Sequence, residues 1–400
     1  MHEAIARVLT VVVTLVLACA APAVEPITNA EAVSLTSRIL GEERTILVST
    51  PRGYDQGKGR FPVLYLTDGD GHLLHTRGTV DFLVRNGLMP DVILVGVTNT
   101  DRTRDLTPTK GYGQRADGTR VPIDSSGGAP RFLDFFEKEL IPWVEGTYRT
   151  APYRIFAGHS LGGLFALTSL VEKPGLFNAS IAASPALAWD DDVILGRTAK
   201  FLESRKELRY TLFVTMADEE EGDPSPTRFQ QLGKLLKRAK ASGFAWGAEL
   251  MADEDHGSVV LRSHYHGLRK IFEGWRLPRD RNAGGYPGTV DDLKRHYGQL
   301  SERFGYAIPV PELTVNQIAY QRLLRKDVRG ALPFFRWNVE LFPESANVHD
   351  SLGEALETAG KNVEALASYE KAVEIAKRVS DARLEVFVRN RDRMAAAVGK

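Results

Sequence analysis

Cysteine is nearly absent from this chain, and neither sign of charge is in excess. Its 400 residues include one cysteine, Cys19, so an internal disulfide and a cysteine-rich metal site are both excluded. Lys and Arg total 51, as do Asp and Glu, so the composition gives no reason to expect nucleic acid as a partner. The length suffices for one large domain and a smaller unit.

The N-terminus is the one strongly apolar stretch. Residues 8–20 are almost wholly apolar, and the triplets 18–20 and 21–23 are of the A-x-A type that signal peptidase cleaves. Such a run is too short to span a bilayer comfortably, so we predict a cleaved signal peptide over 1–23 and a secreted or periplasmic protein. As an alternative, the sequence before Cys19 faintly resembles a lipoprotein box, and lipidation there would anchor the chain to a membrane.

Short Val-, Leu- and Ile-rich segments alternate with amphipathic ones between about residues 34 and 275. The predicted strands are 45–49, 63–66, 92–97, 154–157, 179–183, 210–216 and 246–251, and the predicted helices are 130–144, 164–170, 229–242 and 259–275. This alternation predicts an α/β fold with a mostly parallel sheet that helices cover on both faces.

Residues 107–129 interrupt this alternation. The segment is rich in Gly, Pro, Ser and Thr and carries Lys110, Arg115 and Arg120. A long loop inside a compact domain is often a lid or a substrate wall, although a surface insertion explains the composition equally well. The three basic residues suggest an anionic or catechol-rich substrate, or are simply solvated.

The C-terminal region reads as helix and contains a repeat. One offset superimposes Ala331 on Ala365 and Phe335 on Tyr369, and the spacing of about 34 residues is typical of tetratricopeptide repeats. Two repeats are too few for an independent solenoid, so we expect the tail to pack on the first domain or on a protein partner. The predicted segments are a signal peptide over 1–23, an α/β domain over 24–277, a linker and helix over 278–312, and helical repeats over 313–400.

The sequence Gly158-His159-Ser160-Leu161-Gly162 lies between a predicted strand and a predicted helix. A serine on such a sharp turn has an exposed hydroxyl and is a candidate nucleophile. Gly158 and Gly162 are expected because a Cβ there would collide with neighbouring backbone. His159 is expected to point away from the turn and to serve packing.

A nucleophilic serine needs a base, an acid that orients the base, and donors for the oxyanion. Acidic residues 218–221 follow one later strand, and His256 follows the next, which is the order nucleophile, acid, histidine. His256 is the predicted base, while several carboxylates stay open as the acid. His264 and His266 lie two apart on a helix and point in different directions, so no metal site is expected.

The predicted oxyanion donors are two backbone N–H groups. One belongs to Leu161, which follows the nucleophile, and the other to Asp70, in the glycine-containing loop after the strand 63–66.

Four segments together resemble the esterase-D-like esterases, a branch of the alpha/beta hydrolases that includes siderophore esterases. They are Leu64-Tyr65-Leu66-Thr67-Asp68-Gly69-Asp70, the run from Asn99 to Thr109, Gly158-His159-Ser160-Leu161-Gly162-Gly163, and Glu254-Asp255-His256-Gly257-Ser258-Val259. The resemblance implies Ser160 as nucleophile and His256 as base. It also implies an acid that closes a Gly-x-x-Glu motif, which falls on Glu220, with Asp218 as the second choice. Ala217 replaces the glycine of that motif, and a Ser–His dyad without an acid is a further possibility.

The expected reaction is therefore hydrolysis of a small-molecule ester through an acyl-enzyme, without a cofactor. An acyltransferase would use the same residues. A third possibility is an interaction protein in which the repeats bind a partner and the hydrolase domain is vestigial.

Overall fold

The computed structural model describes residues 30–115, 117–220, 223–280 and 285–399. The predicted signal peptide over 1–23, including Cys19, lies outside the described residues. Among the helices that the structure describes, none combines the length and apolarity needed to cross a membrane.

An eight-stranded sheet forms the centre of the first domain, in the order β1-β2-β4-β3-β7-β8-β9-β10. Its strands are β1 (Glu31–Ser37), β2 (Glu42–Ser49), β3 (Phe61–Leu66), β4 (Ile93–Val97), β7 (Thr150–His159), β8 (Ala179–Ala183), β9 (Glu207–Ala217) and β10 (Ser242–Met251). The pairs β1–β2 and β2–β4 are antiparallel, and every other pair in the sheet is parallel. This confirms the prediction of a mostly parallel sheet. A separate two-stranded hairpin consists of β5 (Tyr112–Gln114) and β6 (Arg120–Pro122).

Helices cover both faces of the large sheet. Those of the first domain are α1 (Gly69–Arg85), α2 (Arg102–Leu106), α3 (Ala129–Phe135), α4 (Ile141–Thr147), α5 (Leu161–Glu172), α6 (Val193–Ser204), α7 (Ser225–Arg238) and α8 (Val259–Ile271). One turn of π-helix, Phe136–Leu140, joins α3 to α4. The apolar core on one face includes Phe132 of α3 and Phe165 of α5, and the core on the other includes Leu73 of α1 and Leu268 of α8. Such double coverage explains why the inner strands read as continuous apolar runs rather than alternating ones.

The sequence patterns did not predict β1, α1, α2, α6 or the β5–β6 hairpin. All seven predicted strands fall on observed strands, with ends that differ by a few residues. The observed α1 begins within the glycine-containing loop, at Gly69. This matters for the site, because Asp70 lies in the first turn of a helix rather than in an open loop.

The C-terminal region is helical throughout the part that the structure describes. Its helices are α9 (Val290–Phe304), α10 (Glu312–Leu324), α11 (Val328–Leu341), α12 (Ala346–Thr358), α13 (Asn362–Val379) and α14 (Leu384–Val398). Equivalent positions of the two units, such as Phe335 and Tyr369, are both buried. The tail packs on the first domain through α9, where the Phe304 ring lies 5.0 Å from that of Tyr153 and 5.3 Å from that of Phe272.

Candidate active site

Ser160 is the single residue between β7 and α5. Its backbone has φ 58° and ψ −113°, a conformation that L-residues rarely adopt and that is found where surrounding structure imposes it. Its N–H donates to the carbonyl of Ala183 at 2.9 Å, and its carbonyl accepts from the N–H of Ala186 at 3.0 Å. Backbone contacts to the end of β8 therefore hold this strained residue in place.

The glycines around Ser160 are required by close approach. A Cβ on Gly158 would lie 2.3 Å from the carbonyl oxygen of Gly162, and a Cβ on Gly162 would lie 2.5 Å from Oγ1 of Thr67. A Cβ on Gly163 would lie 2.9 Å from Cα of Pro185. The turn at Ser160 is thus packed against its own strand, the loop after β3 and the loop after β8, as the sequence pattern predicts.

The start of α1 lies beside this turn. Thr67, which contacts Gly162, and Asp68 connect β3 to α1, and Asp68 has a left-handed backbone with φ 54°. Gly69 is required at the first helical position because a Cβ there would lie 2.7 Å from the backbone of Gly96. The first N–H groups of a helix have no partner within the helix. Leu161 at the start of α5 and Asp70 at the start of α1 therefore both present N–H groups suited to an anion.

Asp68 and Arg102 connect these two helix starts. The Asp68 carboxylate accepts from Nε of Arg102 at 2.7 Å and from Nδ2 of Asn99 at 2.6 Å. Nη2 of Arg102 also donates to the carbonyl of His159 at 2.9 Å. Burial opposes ionisation of Asp68, but hydrogen bonds and the charge of Arg102 outweigh it and lower the pKa of Asp68. Sequence reasoning assigned no role to Arg102 or Asn99, although both lie in the Asn99–Thr109 segment that carries part of the family resemblance.

His256 lies in the loop between β10 and α8. Its Nδ1 is 2.8 Å from Oε1 and 3.1 Å from Oε2 of Glu219. The Glu219 side chain is 9% exposed, whereas that of His256 is 46% exposed. A carboxylate on Nδ1 orients an imidazole and leaves Nε2 available for proton transfer.

The carboxylate on His256 is that of Glu219, which differs from the sequence-based choices Glu220 and Asp218. Strand β9 ends at Ala217, whose N–H donates to Oγ of Ser184 at 2.8 Å. The N–H of Asp218 then donates to the carbonyl of Glu254 at 2.9 Å, while the side chains of Asp218 and Glu220 are exposed. The Gly-x-x-Glu match placed on Ala217 was therefore one residue out of register, because the strand and its first loop contact set which side chain turns toward the histidine.

His159 does not point away from the site. Its Nε2 lies 2.6 Å from the backbone carbonyl oxygen of His256, and the two imidazole rings are 4.7 Å apart between centroids. The expectation that His159 points away is therefore wrong, since its imidazole contacts the loop that carries His256.

Three further imidazoles lie beneath His159. Ring centroids of His72 and His159 are 5.8 Å apart, those of His72 and His75 are 5.2 Å apart, and those of His75 and His264 are 5.5 Å apart. Burial, followed by the charges of neighbouring histidines, lowers the pKa of His75 and His264. Within the described ranges, no group of three or more His, Cys, Asp or Glu side chains is arranged to hold a metal ion.

The β5–β6 hairpin lies inside the predicted loop 107–129. The segment around this hairpin contacts residues 189–191, which lie shortly after Ala186, a backbone partner of Ser160. Nε1 of Trp189 donates to the carbonyl of Thr109 at 3.2 Å, and Arg120 pairs with Asp191 at 3.1 Å. Trp189 is three residues beyond Ala186, whose N–H donates to the Ser160 carbonyl. The hairpin therefore lies on the Ser160 side of the sheet.

The sheet order and the strained turn at Ser160 are those of the alpha/beta-hydrolase fold. A family model described as "Putative esterase" matches residues 37–242. That is more than half of the chain, and the chain belongs to this esterase family. The matched residues contain Ser160 and Glu219 and end before His256.

Two similar proteins of known activity are siderophore esterases. Ferri-bacillibactin esterase BesA of Bacillus subtilis is 34% identical over 44% of this chain and 65% of its own length, so the match spans slightly less than two thirds of that relative. The siderophore triacetylfusarinine C esterase of Aspergillus fumigatus is 28% identical over 64% of this chain and 97% of its own length.

A solved structure extends the similarity beyond the first domain. The IroE-like serine hydrolase of Shewanella oneidensis is 28% identical, with a TM-score of 0.66 over 78% of this chain and 99% of that one. A protein from Capnocytophaga ochracea shares the fold over 92% of this chain, with a TM-score of 0.63 at 16% identity. The fold thus recurs over most of the length, tail included.

Proposed function

We propose that the protein cleaves carboxylic esters through a triad of Ser160, His256 and Glu219. The observation that carries the proposal is the strained turn at Ser160 together with the His256–Glu219 pair at the same edge of the sheet. The carboxyl ends of parallel strands meet at this edge, which is where such folds place their sites.

In the proposed mechanism, Oγ of Ser160 attacks the ester carbonyl carbon while Nε2 of His256 takes the hydroxyl proton. The tetrahedral intermediate collapses as His256 returns the proton to the leaving alcohol, and an acyl-serine remains. His256 then takes a proton from water, whose oxygen attacks the acyl carbon to form a second tetrahedral intermediate. This intermediate collapses as His256 returns the proton to Oγ of Ser160, which releases the carboxylic acid and restores the serine hydroxyl. Glu219 stabilises the imidazolium that forms in each half of the cycle.

The N–H groups of Leu161 and Asp70 are the proposed oxyanion donors. Each lies in the first turn of a helix, and the two turns are joined through Gly162–Thr67 packing and through the contacts of Arg102. Donors that are fixed before the reaction stabilise the developing negative charge without a cost of reorganisation.

For the substrate we propose the ester bonds of siderophores. Support comes from the relatives named above and from the hairpin, which adds a wall on the Ser160 side. Two basic residues of the segment 107–129 already have partners, since Arg120 pairs with Asp191 and Nζ of Lys110 donates to the carbonyl of Asp124. The hairpin also presents the half-exposed ring of Tyr112, which Arg120 covers at 4.6 Å, so we assign it a role as an aromatic wall rather than as an anion clamp.

The test combines a fluorophosphonate probe with a substrate comparison. Wild type should be labelled at Ser160, and Ser160→Ala should lose labelling and at least about 10³-fold in kcat. Ser368→Ala, in the tail helix α13, is the matched serine control and should behave as wild type.

Substrate class is then read from kcat/KM for ferri-triacetylfusarinine C and enterobactin against p-nitrophenyl acetate. A higher value for a siderophore supports the proposed substrate, whereas activity confined to the short acyl ester contradicts it. Equal labelling of wild type and Ser160→Ala would overturn the mechanism itself.

A further inference from the structure

We propose that His159 is a positioning residue that holds the backbone of His256 at a fixed place relative to Ser160. The inference rests on the proposed function, because it assigns His256 the role of base. Its basis is the 2.6 Å contact between Nε2 of His159 and the carbonyl oxygen of His256, together with a ring separation of 4.7 Å.

The direction of this hydrogen bond follows from its partners. A carbonyl oxygen only accepts, so Nε2 of His159 carries the proton and donates it, which fixes one tautomer. Burial, followed by the charge of His256, lowers the pKa of His159 to about 4. The other charged or titratable groups near it include His72, His264 and Arg102, and Nη2 of Arg102 donates to the His159 carbonyl. His159 is therefore a neutral donor at the pH where an esterase with a histidine base works.

His256 is then held by two residues from different parts of the sheet edge. Glu219, after β9, binds the ring through Nδ1, and His159, at the end of β7, binds the main chain. The neighbouring loop residues are held in other ways: the Asp255 carboxylate accepts from the N–H groups of Gly257 and Ser258.

Glu219 and His159 constrain His256 in different ways. Glu219 sets the rotation of the imidazole, and the described backbone contact of its loop, from the N–H of Asp218 to the carbonyl of Glu254, is with the loop of His256. His159 is bonded covalently to Ser160, so its hydrogen bond sets the spacing between the base and the nucleophile directly. Misplacement of a reacting group by about 1 Å can lower a rate by about 10²-fold.

Proton transfer to His256 also depends on the charge of its neighbour. His256 becomes an imidazolium in each half-reaction, and a second imidazolium 4.7 Å away would oppose that step. A neutral His159 supplies the hydrogen bond without this repulsion. A lysine or arginine donor in its place would not.

The experiment uses three replacements of His159 in the full chain. His159→Phe keeps the ring and removes the donor, His159→Asn keeps a polar group that does not reach the Nε2 position, and His159→Gln places an amide N–H near it. We expect kcat to fall by about 10- to 100-fold in the Phe and Asn variants, with KM within about twofold of wild type. The Gln variant should recover most of the lost kcat. The rate of fluorophosphonate labelling of Ser160 should follow kcat in all three.

His75→Phe is the matched control, since it changes another imidazole of the same cluster that has no described contact with His256. It should leave kcat within about twofold. The inference is overturned if Phe and Asn variants that melt like wild type keep wild-type kcat, or if Gln is no better than Phe. If the Phe variant does not fold, the Asn and Gln pair decides the question alone. Wild-type enzyme that neither labels nor turns over ester would refute the proposed function instead, and so the two failures are distinguishable.

Discussion

The two halves of the candidate site are built by different means. Around Ser160, backbone approaches backbone so closely that a Cβ on Gly158 or Gly162 would overlap its neighbours. Around His256, the side chain is 46% exposed; its Nδ1 contacts the carboxylate of Glu219, and its backbone carbonyl accepts from Nε2 of His159. The nucleophile is therefore placed by steric exclusion and the base by polar contacts, and the two halves should respond differently to substitution.

The largest effect is expected from Gly158→Ala. Its Cβ would lie 2.3 Å from the carbonyl oxygen of Gly162, a backbone atom that cannot give way as the end of a flexible side chain would. We expect a loss of at least about 3 kcal/mol in the free energy of unfolding, measured by urea denaturation, together with loss of probe labelling.

Gly78→Ala in α1 is the control for this comparison, because a Cβ there meets nothing within 4 Å. It should stabilise the protein by about 0.5–1 kcal/mol. A Gly158→Ala variant as stable and active as wild type would contradict the steric account of the turn.

The next largest effect is expected at the contact between His256 and Glu219. Glu219→Gln removes the charge that stabilises the His256 imidazolium while keeping the side-chain shape, so we expect kcat to fall by about 10²-fold or more. Stability should change little, because the pair is partly exposed.

Glu220→Gln and Asp218→Asn serve as controls, since neither side chain lies on His256, and both should keep wild-type kcat. Were Glu220→Gln the impaired variant, the register that the structure gives to this loop would be wrong. If all three retained full activity, a Ser–His dyad would replace the triad.

The smallest effect concerns pH and the buried imidazoles beneath the turn. His264 is buried, and its Nδ1 is hydrogen-bonded to Oγ1 of Thr76 at 2.8 Å. Burial, followed by the charges of His75 and His72, holds the pKa of His264 well below the usual 6.5. The unfolded chain therefore binds a proton at His264 before the folded chain does. The contribution of His264 to the free energy of unfolding is therefore fully present above about pH 6.5. It falls as the pH drops below that value, by up to about 1.4 kcal/mol per pH unit.

Thermal melting of wild type between pH 8 and pH 5 measures this loss. His264→Phe should melt as a folded protein at pH 8 and show a shallower decline toward pH 5. An unchanged slope in that variant would show that His264 is not a source of the acid sensitivity.

Sequence reasoning succeeded where neighbours along the chain decide the structure. Ser160 and its glycines lie within a few residues of one another, so this short segment is enough to predict a sterically crowded strand–turn–helix connection. It was less successful with the acid. The pairing of His256 with Glu219 joins residues 37 apart, and its register depends on where β9 ends and on the contact between Asp218 and Glu254.

His159 shows the same limit more sharply. Its partner is the carbonyl of a residue 97 positions away, and the pattern Gly-His-Ser carries no information about that contact. Arg102 likewise has no recognisable role until α2 is placed beside Asp68. Long-range side-chain contacts of this kind depend on loop paths that no local period encodes.

Local patterns along the chain were enough to predict the mostly parallel sheet, the helical tail, the turn at Ser160 and the histidine after the last strand, because apolar periodicity and backbone sterics are local properties. Three features follow from the folded arrangement of the strands: Glu219 faces His256, His159 contacts the His256 carbonyl, and Asp68 and Arg102 link the starts of α1 and α5 beside Ser160. Those contacts join loops from separate strands, and their geometry exists only once the sheet has brought the strand ends to one edge.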